Sequence, residues 1–242
     1  VSLFGQLCNL KAIKDIAKAH GLWLIEDGAQ SFGATFRNKY ATEYADISCT
    51  SFYPAKPLGT YGDGGAVFTH NDELAEKCRL YLNHGQDRTY HHKLVGLNCR
   101  MDALQASILD VKLKAFKQEI ASRNKKANWY LKNLSNLDLQ LPYVIPQAKS
   151  SWAQFSILSE NRDELIQQLK DMDVPIAVHY SLPLYKQPAL KFLECNSAQY
   201  PVTEEVCQKI FSLPMCAFIT RESQNYIISR LKTLVLSRKA YG

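Results

Sequence analysis

Long apolar runs are missing from this chain. Nothing in its 242 residues approaches the roughly 18 consecutive apolar side chains that a membrane-spanning helix requires. The opening VSLFGQLCNL also lacks a basic segment followed by an apolar one, so a secretory leader is not expected. No CxxC pair occurs. The seven cysteines (Cys8, Cys49, Cys78, Cys99, Cys195, Cys207, Cys216) are scattered and odd in number, which argues against a disulfide framework or a zinc site and fits a reduced, cytoplasmic compartment. Runs of like charge are absent as well. The 29 basic and 23 acidic side chains are dispersed, so neither nucleic-acid binding nor membrane association is expected. The net charge of +6 suits, at most, the steering of an anionic small molecule. Finally, no GxGxxG opens a helix after the first expected strand, which sets aside an NAD-binding fold.

What is present is enough apolar content, 46%, to build a core in one large domain or two unequal ones. Leu10, Ile13, Ile16 and Ala17 fall at helical spacing and Gly21 follows as a stop, predicting a helix over 10–20. LWLIED then reads as a short buried strand with Glu26 and Asp27 at its carboxyl end, the edge where open α/β sheets place ligand sites. DISCTSFY and GAVFTH read as two further strands. Helical periodicity covers 72–82 and returns, with long reach, from Met101 to about Leu134. Beyond it the texture becomes short elements broken by prolines: a strand in SWAQFSIL, a helix over 162–172, a strand in VPIAVHY, and helices over 203–211 and 221–236. This predicts an α/β domain over 1–120 and a smaller α+β domain over 121–242.

Two segments carry the chemistry: EDGAQSFGA (26–34) and TSFYPAKPLGTYGDGGA (50–66). Both follow predicted strands, so both can converge on one ligand. Together with HGQDRTYHHKLVGLNCRMDALQA (84–106) and, more loosely, the His179–Tyr180 pair, they resemble the DegT/DnrJ/EryC1/StrS family of sugar aminotransferases. The resemblance implies the fold type I architecture of pyridoxal 5′-phosphate (PLP) transferases: here the C-terminal part of the large domain plus the small α+β domain.

It also implies roles. A lysine is the side chain that offers a primary amine to an aldehyde, and Lys56 in SFYPAKPLG is the expected Schiff-base residue. A carboxylate beside the cofactor's ring nitrogen keeps that nitrogen protonated, and Asp27, 29 positions upstream, stands for it. Gln30 is expected near the phenolic oxygen and Ser51 at the phosphate. By resemblance Asn98 reaches the partner subunit's phosphate, implying a homodimer with shared sites. Arg88 has the planar fork that binds oxyanions bidentately, and with His179 and Tyr180 it is expected to face substrate. His84, Asp87, His91 and His92 invite a metal reading, but adjacent histidines do not easily converge on one ion and no metal is expected.

The implied activity is transfer of an amino group from an amino acid, L-glutamate by resemblance, to a UDP- or dTDP-linked keto-sugar for bacterial surface polysaccharide. The form YPAKPLGTYGDGGA looks most like the branch acting on UDP-3-keto-glucuronic acid derivatives. Because VSLFGQ lies well inside the family's large domain, the expectation is a chain truncated at its N-terminus. The alternative is a catalytically incomplete member acting as a binding or regulatory module. Related dehydratases carry histidine in place of the Schiff-base lysine, and Lys56 argues against that chemistry.

Overall fold

The structure, a computed structural model, describes residues 1–239. The last three residues of the expected second domain lie outside the described residues. In chain order the elements are α1 (Leu10–Ala19), β1 (Ile25–Asp27), β2 (Thr35–Phe36), β3 (Ile47–Ser51), β4 (Gly65–Phe68), α2 (Asp72–Leu82), β5 (Gln86–Arg88), β6 (His91–His92) and α3 (Ala103–Leu134). There follow β7 (Ala148–Lys149), β8 (Phe155–Leu158), α4 (Arg162–Asp171), α5 (Pro201–Lys209), β9 (Ile210–Leu213) and α6 (Arg221–Lys239). No helix among the described residues is long and apolar enough to cross a membrane.

The chain forms two compact units. One comprises Val1–Ala121 with Val144–Ala153; the other comprises Ser122–Tyr143 with Gln154 onward. The first is built on a sheet of order β1–β3–β4, with β1 parallel and β4 antiparallel to the central β3. Caps define its helices. Asn9 Oδ1 accepts from the backbone N–H of Ala12 at 3.2 Å to start α1, and Asn71 Oδ1 accepts from that of Leu74 at 3.0 Å to start α2. Phe52, Leu58 and Phe116 form its aromatic core with Phe32, whose ring centroid lies 5.5 Å from that of Phe116. Gly33, at φ 85°, has no room for a side chain: a Cβ there would stand 2.8 Å from the Phe116 ring. The segment 144–153 returns to this unit through β7, which pairs antiparallel with β2, and through Gln6 Oε1, which accepts from Ile145 N–H at 2.8 Å.

The second unit packs α4 on β9 and α5 on β8 of an antiparallel pair, with α6 against α4. Tyr130, Leu134, Phe155, Leu165, Leu169, Phe211 and Leu231 are fully buried there. Tyr130 stacks at a tilt on Phe155, with centroids 4.9 Å apart, and donates its hydroxyl to Pro214 O at 3.1 Å.

Two local expectations change. The helix predicted over 203–211 ends at Lys209, and Ile210–Leu213 is a strand whose four residues are all buried. Pairing with β8 overrides the helical spacing: Ile210, Phe211 and Leu213 are buried, and the one polar residue, Ser212, meets Ser156 Oγ of β8 at 2.9 Å. The strand predicted in VPIAVHY reduces to one bridge, Ala177 with Ser212, on the edge of β9 away from β8.

Candidate active site

The site begins with the register of β1 and β3. Ile25 pairs with Ile47 and Asp27 with Cys49 in parallel alignment, so both strands deliver their next residues to the same edge of the sheet. Beyond Asp27 the chain turns at once. Gly28 N–H donates to Cys49 O at 2.8 Å, Ser31 N–H donates to Gly28 O at 3.0 Å, and Asp27 Oδ1 accepts from Ala29 N–H at 3.0 Å. The last of these is an Asx turn, which holds the exposed Asp27 carboxylate at the strand end. Gln30 is buried, and its Oε1 accepts from Phe4 N–H at 2.8 Å.

Ser51 ends β3, in register with Gly65 of β4. Its Oγ accepts from Tyr53 N–H at 3.2 Å, leaving the hydroxyl proton to donate elsewhere. The loop 52–64 then closes on itself. Phe52 N–H donates to Gly64 O at 2.7 Å, and the buried Thr60 hydroxyl shares its one proton between Gly62 O at 2.6 Å and Phe52 O at 2.9 Å. Pro57, Leu58 and Gly59 are buried, while Tyr53, Pro54 and Ala55 are exposed. Lys56 sits half-buried at the change between them, its N–H donating to Tyr53 O at 2.9 Å. The backbone here is too close for a side chain at Gly59, where a Cβ would lie 2.7 Å from both Tyr53 O and Pro54 O.

Helix α3 pins this loop. Gln105 Oε1 accepts from Tyr61 N–H at 2.9 Å, and the Lys112 ammonium donates to Gly59 O. Sequence reasoning passed over Thr60, Gln105 and Lys112. The threonine was within reach as the polar residue inside a glycine-rich loop, but Gln105 and Lys112 are joined to it only by tertiary structure.

The other expected residues belong to other segments of the chain. Asn98 is exposed, bridged to Asn83, and its Oδ1 accepts from Arg100 Nε–H at 3.0 Å. Arg88 ends β5 and is exposed. In the same hairpin, hydrogen bonds from Lys93 first and His91 second hold the Asp87 carboxyl far below the ordinary carboxylate range. His179 and Tyr180 belong to the second unit. There the His179 ring shares a hydrogen bond with Ser212 Oγ at 3.1 Å, and burial pushes its pKa down; Tyr180 is exposed. A cavity of about 850 Å³ lies on the first unit between β4 and α2, and another of about 210 Å³ beneath the 28–31 turn. Asp27, Ser51 and Lys56 line neither of these two.

The profile of the DegT/DnrJ/EryC1/StrS aminotransferase family matches residues 1–232. A UDP-2-acetamido-2-deoxy-3-oxo-D-glucuronate aminotransferase of Pseudomonas aeruginosa is 44% identical over 231 residues, covering 96% of this chain and 64% of the relative. Among solved structures, a DegT DnrJ EryC1 StrS aminotransferase from Brucella abortus superposes with a TM-score of 0.93 at 37% identity, covering 97% of this chain and 63% of that one. NtdA of Bacillus subtilis, solved with bound cofactor PMP, superposes at 0.88 with 28% identity, covering 97% and 55%. The chain thus spans somewhat under two thirds of the length of the relatives it matches.

Proposed function

The chain belongs to the DegT/DnrJ/EryC1/StrS aminotransferase family, and from that premise we propose that it works as a PLP-dependent aminotransferase moving an amino group from L-glutamate to a nucleotide-linked keto-sugar. The Pseudomonas relative is named for UDP-2-acetamido-2-deoxy-3-oxo-D-glucuronate, which makes a UDP-3-keto-glucuronic acid derivative the first substrate to try. A role in surface polysaccharide (lipopolysaccharide or O-antigen) synthesis, in the cytoplasm, belongs to the same proposal.

The observation that supports it best is the parallel register of Asp27 with Cys49, which aims Asp27, Ser51 and the Lys56 loop out of one sheet edge. The residues fit the cofactor. Lys56 supplies an amine for its aldehyde, Asp27 a carboxylate for its ring nitrogen and Ser51 a free hydroxyl proton for its phosphate. Gly59 and Gly65 keep the backbone low: a Cβ at Gly65 would meet Thr50 O at 2.8 Å. When bound, PLP supplies the electron sink that acidifies the substrate carbon bearing the amine.

In this reading the Lys56 amine would hold the cofactor by its aldehyde and, once free, would take the proton from the amine-bearing carbon of the donor and, in the second half of the exchange, give one to the carbonyl carbon of the acceptor sugar. Asp27 keeps the ring nitrogen protonated, and Gln30 turns its amide toward the phenolic oxygen. Asn98 completes the phosphate site of the partner subunit in a homodimer. Arg88 binds the oxyanions of the nucleotide-sugar, and His179 and Tyr180 hold its sugar.

The test is chemical. PLP added to the purified chain should give a visible absorbance band, and borohydride reduction should fix it on the peptide containing Lys56. Label on another lysine, or no fixation at all, would count against the reading.

A further inference from the structure

We propose that Glu26, the neighbour of Asp27 that the site does not use, is a positioning residue: its carboxyl group is the floor under the Gly28–Ser31 turn and sets where Asp27 and Gln30 stand. The proposal rests on the PLP reading for its functional meaning, but its structural core does not.

Successive side chains of a strand point to opposite faces, and in β1 the middle residue alone is buried, Glu26 at 1% exposure between exposed Ile25 and Asp27. Its carboxyl group folds forward beneath the turn. A Cβ on Gly28 would stand 2.8 Å from Glu26 Oε2 and 3.3 Å from Oε1, so the acid occupies the space that any other residue at 28 would need. Ser31 Oγ donates to Oε1 at 3.4 Å, and Ser31 N–H donates to Gly28 O, so one serine ties the acid to both ends of the turn. Thr50 Oγ1 reaches the same Gly28 carbonyl at 3.4 Å from β3.

The small cavity here is lined by Ser48, Thr50, Cys49, Phe32 and Phe68 besides Glu26, and the positive amino terminus also acts on the acid. Burial pushes the Glu26 pKa up, against the pull of the Ser2 and Ser48 hydroxyls, the positive amino terminus and the Ser31 hydroxyl. A carboxyl group is costly to bury unless it is hydrogen-bonded or neutral. Among the groups it meets is the turn joining Asp27 to Gln30.

Three variants test this: Glu26→Ala, Glu26→Asp and Glu26→Gln. In the unliganded chain, hydrogen exchange at the amides of Ala29–Ser31 should quicken in E26A, or in E26D should E26A fail to fold, and stay near wild type in E26Q, which keeps shape and an acceptor for Ser31. Unchanged exchange in E26A and E26D overturns the proposal, with or without PLP. In the PLP-bound chain the truncated variants should bind roughly tenfold more weakly, as loss of an outer support typically does. The double variant E26A/D27N should lose less than the product of the two single losses, because Glu26 acts in part through Asp27. Losses that multiply independently would overturn that route. A wild-type chain that binds no PLP would refute the proposed function while leaving the exchange experiment decisive for Glu26.

Discussion

Asp27 and Cys49 stand opposite each other across two parallel strands, and the backbone N–H of Gly28 is locked to the Cys49 carbonyl at 2.8 Å. The strand end bearing the carboxylate is thereby tied to the strand that leads, two residues later, to Ser51 and then to Lys56. A one-residue slip in this pairing would turn Asp27 to the other face of the sheet. The register is thus as much a part of the site as the side chains.

Replacement of Asp27 by Asn keeps the shape and removes the charge. Amine transfer should fall by at least about a hundredfold while PLP is still fixed on Lys56 by borohydride. A D27N variant as fast as wild type would remove Asp27 from the ring nitrogen.

Gly59→Ala forces a methyl group against two carbonyl oxygens at 2.7 Å. The loop must move, at about 1–3 kcal/mol, and Lys56 moves with it. A lowered melting temperature together with weaker PLP retention is expected. A variant that melts and binds PLP like wild type would mean that this approach is not needed.

The Glu26 pKa is raised in the folded chain by burial. Below its unfolded value, near 4.5, the acid is neutral in both states and burying it carries no charge penalty. As pH rises from there through the raised folded value, the unfolded chain releases the proton first and stability is lost. Glu26→Gln cannot ionise, so its melting temperature should gain on that of wild type across this window and then run parallel. A difference that is constant from about pH 4 to pH 8 would show that Glu26 does not titrate abnormally.

In the second unit Phe155 is fully buried against Tyr130. Phe155→Ala should cost about 3–5 kcal/mol, seen as a shifted urea midpoint. A loss under about 1 kcal/mol would place the residue outside a close-packed core.

Much of the site is legible in sequence because its elements are local. Lys56, Ser51 and the glycines share one 17-residue segment, 50–66, and Asp27 closes a short apolar run, so strand ends and loop chemistry announce themselves. The long helix α3 is equally plain from its periodicity. Gln105 and Lys112 carry no such signal, since their partners Tyr61 and Gly59 lie 44 and 53 residues away.

By itself, then, the sequence determined the kinds of element, the chemical groups that the two loops offer and the family to which they belong, because each depends on residues close together in the chain. Tertiary structure alone decided that Ile210–Leu213 pairs as a strand, that 144–153 returns to the first unit, and that Glu26 lies beneath the turn that presents Asp27. Those outcomes turn on which distant surfaces bury one another, and helical or strand spacing along a single segment carries no record of its partner.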